Sequence, residues 1–72
     1  MPRKSKLKPL SIVIFDVPKE HESHYRFKIG DRFLFLGEIQ NMRGHCSIVD
    51  KQGLTHFGYH TDNFRLPTDD EL

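Results

Sequence analysis

Apolar residues in this chain are gathered into five short runs, separated by polar and glycine-containing breaks. The first, residues 10–17, holds Ile12, Val13, Ile14, Phe15 and Val17 and stops at Pro18. β-Branched side chains pack well on a pleated surface and lose rotamer freedom in a helix, so this run predicts a strand. Residues 18–25 are polar and read as a loop. Gly30-Asp31 marks a turn that launches a second strand over 32–39. Asn41 to Gly44 turns the chain into a third strand, 45–50, and Lys51-Gln52-Gly53, with Gly53 at positive φ, turns it into a fourth from Leu54 to Tyr59. A polar turn at His60 to Asn63 leads to a last short strand at Phe64 to Leu66, before Pro67.

Strand alternation assigns faces within these runs. Phe33 and Phe35 fall on one side and Leu34 and Leu36 on the other, and the same rule puts Phe57 and Tyr59 on one face. Six Phe and two Tyr exceed what the interior of a small barrel holds. One set therefore lines the core. The other either lies under the 10–17 strand or stays exposed beside Arg32, Arg43 and Arg65, where it would form a protein-binding hot spot. Five closely spaced strands with no helix longer than one turn predict an all-β fold, and closure into a barrel would remove the edges that template aggregation.

Length restricts these elements to one domain, since 72 residues support a single thin core and no interdomain cleft. The formal net charge of +1 conceals a basic head and an acidic foot. Residues 1–9 carry Arg3, Lys4, Lys6 and Lys8 without an acid, whereas Asp69, Asp70 and Glu71 stand near the other end without a base. The expected organisation is a disordered basic tail over 1–9, a folded domain over 10–67 and an acidic solvated tail over 68–72. A single cysteine, Cys46, excludes an internal disulfide framework and fits a reducing, cytoplasmic setting. No apolar run approaches the roughly 20 residues of a membrane-spanning helix, and no secretory leader is evident, so no membrane association is expected.

Several of these signals occur together in a known pattern. Lys28-Ile29-Gly30-Asp31-Arg32-Phe33, then Gly44 before a strand ending in Asp50, then Gly53, then Asn63-Phe64, resembles the small SH3-like barrels of bacteria and bacteriophages. The resemblance covers about residues 27 to 66. It implies a five-stranded SH3-like barrel and a role as a binding module.

Candidate chemistry changes this picture little. Zinc needs three or four converging ligands. His56 and His60 have a permitted spacing but sit on a strand and turn, and His45 and Cys46, being adjacent, face opposite sides of a strand. No metal or cofactor is expected. Cys46 beside His45 does not supply the geometry of an activated nucleophile, and a strand cysteine reads as a small buried hydrophobe, so no enzymatic activity is expected. The expected function is a monomeric, non-catalytic module that docks on a larger protein or complex and regulates or inhibits it. Its contact residues would be Tyr25, Arg43, Tyr59, His60 and Asn63, grouped as loop positions at one barrel end. The alternative is a nucleic-acid binder that neutralises phosphates with Arg3, Lys4, Lys6 and Lys8 together with the arginines of the barrel.

Overall fold

A computed structural model describes residues 7–72. Arg3, Lys4 and Lys6, the heart of the expected basic tail, lie outside the described residues. Among the described residues five strands form, at β1 (Ser11–Phe15), β2 (Arg32–Glu38), β3 (His45–Val49), β4 (Thr55–His60) and β5 (Phe64–Arg65). They make one antiparallel sheet in the order β4-β3-β2-β1-β5. The fold is therefore all-β, as the hydrophobic pattern predicts. The sheet is not closed, however: β4 and β5 are its two edges, joined by a 3-10 turn at Thr61–Asn63 rather than by a ladder.

The 10–17 run does not lie over an aromatic face. It provides an interior strand of the sheet, between β2 and the edge strand β5, with Val13 opposite Phe33 on one side and Phe15 opposite Phe64 on the other. The crossing into β2 is set by backbone bonds at Gly30, φ 97°, whose N–H donates to the Phe15 carbonyl at 2.8 Å. The Asp31 carboxylate accepts from the Lys28 N–H at 3.0 Å, the local bond that makes Asp a turn residue. Residues 19–24, expected as loop, form a 3-10 helix. The side chain of Glu22 accepts the Ile29 N–H at 2.9 Å and so ties this helix to the Gly30 turn.

One face of the sheet supplies the core. Val13, Phe15, Phe33, Phe35, Cys46, Ile48 and Phe64 point there, and Leu7, Val17 and Phe27 close over them. The expected Phe33/Phe35 alternation holds, and the opposite residue, Leu34, is only half-buried. Because the core is thin, rings fill it. Phe15 takes edge-on contacts from Tyr25, Phe27 and Phe64 at centroid distances of 5.2, 5.6 and 5.7 Å, the arrangement that aligns ring edge with ring face.

Three sequence expectations change at the ends and in β4. Leu7 is buried in the core and the Ser11 hydroxyl donates to the Lys8 carbonyl, so the ordered chain begins before residue 10. The acidic end is anchored rather than free. Thr68 and Glu71 form a capping box around a 3-10 turn, and the Glu71 carboxylate receives both terminal nitrogens of Arg65 at 2.7 and 2.8 Å. Arg65 also reaches Asp16 with its Nε at 2.9 Å, which links the chain end to β5 and to the end of β1. Finally, Phe57 and Tyr59 do not share a face. Gly58, at φ +85°, bulges from the ladder, so Phe57 pairs with Ser47 and Tyr59 with Cys46. An extra residue in a strand reverses side-chain parity. Phe57 thus points away from the core and is 69% exposed, while Tyr59 packs against it.

Candidate functional site

The five residues expected to form one contact surface separate into two groups. Tyr25, Asn63 and Tyr59 gather at the margin of the core. Tyr25 lies edge-on to Phe15, and its hydroxyl accepts from the Asn63 side-chain amide at 3.5 Å. Tyr59 leans on Phe27 with centroids 5.1 Å apart. Arg43 and His60 collect instead around His45. The His45 Nδ1 is 3.1 Å from the Arg43 carbonyl, and the His45 and His60 rings are 4.2 Å apart. Tyr59 and His60 are neighbours in β4, so they project to opposite faces.

Beside Tyr25 runs an open groove of about 350 Å³, lined by Lys19, Glu22, Ser23, Tyr25, Arg26, Phe27 and Lys28. Its wall comes from the extended stretch after the 3-10 helix. There the chain alternates between rings turned toward the core, Tyr25 and Phe27, and exposed cations, Arg26 and Lys28. Lys19 joins them from the first position of the 3-10 helix. Among the described residues, none of these three cations has an acidic group within ion-pairing distance. The carboxylate of Glu22, the acid within the groove, is engaged by the Ile29 N–H. The result is a cationic rim on a rigid aromatic floor. Sequence reasoning missed Lys19, Arg26 and Lys28. A local signal exists, because aromatic and basic residues alternate with period two from Tyr25 to Lys28.

Cys46 and His56 are accounted for by packing. Cys46 is fully buried, and burial, with the Glu38 carboxylate adding to it, pushes its thiol up to about 11. At neutral pH it is a thiol and not the thiolate that attacks substrates. The His56 Nε2 lies 2.9 Å from Asp50, whose other oxygen accepts the N–H groups of Gln52 and Leu54 at 2.9 and 3.0 Å. Those bonds, led by the one from His56, hold the Asp50 carboxyl below the usual carboxylate range. This constellation fastens the β3–β4 hairpin. His56 pairs with core-facing Ile48 and His60 with His45, so the spacing that suggests shared metal ligation places these two on opposite faces.

Among the described residues no group of three or more His, Cys, Asp or Glu converges as a metal site, and no helix is long and apolar enough to cross a membrane. Comparison with protein-family models, curated proteins and solved structures finds no match to this chain.

Proposed function

We propose that this protein is a non-catalytic module that docks on a larger protein and regulates it by holding an acidic, extended segment in the Lys19–Lys28 groove. The observation that carries this reading is the convergence of three cations, Lys19, Arg26 and Lys28, with no acidic partner among the described residues, around a groove floored by Tyr25 and Phe27. A positive rim steers and orients an acidic partner, and the half-buried Tyr25 ring, backed by buried Phe27, supplies rigid contact area at low entropy cost. Tyr25 enters already fixed by Phe15 and Asn63, so little side-chain freedom is lost on binding. Glu20 and Glu22 interrupt the basic surface within the 3-10 helix. Such mixed charge suits a peptide of defined sequence better than the uniform charge of a phosphate backbone.

Fluorescence anisotropy with a labelled Asp/Glu-rich peptide, run beside duplex DNA of similar total charge, tests the reading. The peptide is expected to bind more tightly than the DNA, to weaken between about 50 and 200 mM salt as charges are screened, and to lose about tenfold in affinity in the Arg26→Glu/Lys28→Glu variant. Tighter binding of DNA, no peptide binding at low salt, or affinity indifferent to the charge reversal would overturn it.

A further inference from the structure

We infer that His45 and His60 form a bidentate surface site for a divalent transition-metal ion, with Cu²⁺ preferred. The site is independent of the groove and lies on the other side of the sheet from Tyr59. The two residues are directly opposed across β3 and β4, so their side chains leave the same face. Their ring centroids are 4.2 Å apart with planes inclined at 41°. With metal–nitrogen bonds of about 2 Å, two imidazoles on one ion have centroids about 4.5 Å apart at a right angle and about 5 Å apart at the tetrahedral angle. The observed spacing is nearer the first, the angle of tetragonal Cu²⁺ and Ni²⁺ sites.

The tautomer is set as ligation requires. A backbone carbonyl only accepts, so the His45 Nδ1 beside the Arg43 oxygen at 3.1 Å carries the proton. The lone pair of neutral His45 is therefore on Nε2. A ring nitrogen that donates to a backbone carbonyl while the other binds metal is the usual outer-sphere support for a histidine ligand. His60 is exposed at the end of edge strand β4, free to turn its ring by the few tenths of an ångström needed.

The other histidines do not compete. His56 is bound to Asp50. His21 and His24 stack nearly parallel, at 16° and 5.7 Å, and parallel rings aim their lone pairs alongside each other rather than at a common point. Two protein ligands leave the remaining coordination positions to water, so the ion acts as a clasp across β3 and β4.

Titration of the full chain with CuCl₂, NiCl₂ or ZnCl₂, followed by isothermal calorimetry and by the histidine ring resonances in NMR, tests this. One saturable ion per chain is expected, bound most tightly for Cu²⁺, with His45 and His60 the rings that respond. His60→Gln removes an exposed side chain and leaves the fold, so it should weaken Cu²⁺ at least tenfold, whereas His21→Ala/His24→Ala should not change it. Absence of saturable binding, unchanged affinity in His60→Gln, or loss of affinity in the His21/His24 variant would overturn the assignment.

Discussion

Replacing Gly58 by alanine isolates the device that turns Phe57 outward and Tyr59 inward. The backbone at Gly58 has φ +85°, a region that costs an L-residue roughly 1–2 kcal/mol because Cβ crowds the following carbonyl. An added Cβ would meet nothing within 4 Å, so no packing clash augments that cost. Alanine also stiffens the unfolded chain, which favours folding by about 0.4–1 kcal/mol. Backbone strain wins, and Gly58→Ala should lose about 1 kcal/mol. A 72-residue domain has about 4–11 kcal/mol of stability to draw on, so the variant remains folded. In thermal unfolding followed by circular dichroism, the midpoint should fall by about 4–8 °C. Asparagine tolerates the left-handed region better, so Gly58→Asn should fall between the two. A midpoint for Gly58→Ala equal to or above that of the parent chain would refute the reasoning, since it would mean that residue 58 does not hold a positive φ.

Three further outcomes follow from the packing and the ionisable groups. Hydrogen bonds from Arg65, then from the Thr68 backbone, hold the Glu71 carboxyl down at about 2, below its ordinary 4.5. A lowered folded-state pKa contributes stability that is present above pH 4.5 and lost as pH falls through 2, so urea midpoints should decline across that window, less steeply in Glu71→Gln. Cys46, buried and with its thiol near 11, should resist iodoacetamide at pH 8 in native buffer and react readily in denaturant; equal rates would contradict its placement. Phe15→Leu forfeits three edge-on ring contacts and should cost about 2 kcal/mol, while Phe57→Ala at an exposed position should stay within about 0.5 kcal/mol, both read from urea unfolding.

Much of the architecture was legible because it depends on local pattern. The β-branched run before Pro18, the Gly30-Asp31 turn and the alternation of Phe33 with Leu34 each reflect interactions within a few residues. What escaped depends on pairing between distant segments. Counting by two along β4 puts Phe57 with Tyr59, and only the register against Ser47 and Cys46 reveals the bulge. The interior position of β1, with β5 beside it, leaves no mark in residues 10–17 themselves. Closure into a barrel was an inference from strand number, and the open edges at β4 and β5 depend on how far the sheet curls. Leu7 and Glu71 looked like tail residues because their partners, the core and Arg65, are not their neighbours in sequence.

The candidate site shows the same division. Tyr25 and Asn63 were identifiable as loop residues with the right chemistry, yet nothing local joins two residues 38 positions apart. Arg43 and His60 carried the same kind of signal and belong with His45 instead. Lys19, Arg26 and Lys28 were overlooked because charged residues in a polar stretch are ordinarily just solvated. Their distinction is their convergence around one groove floored by Tyr25 and Phe27, which depends on three-dimensional neighbours.

The pairing of β1 with β5 also imposes an order on biosynthesis. Phe15 leaves the ribosome about fifty residues before its partner Phe64, a delay of roughly 3–10 s at ordinary translation rates. Throughout that interval β1 can gain β2 but not its second neighbour, so one side of this interior strand, with Ile14 and Phe15, stays open to whatever the nascent chain meets. A message truncated before codon 64 would release a product whose most apolar strand has become an edge, and quality-control proteases and chaperones would encounter it in that form.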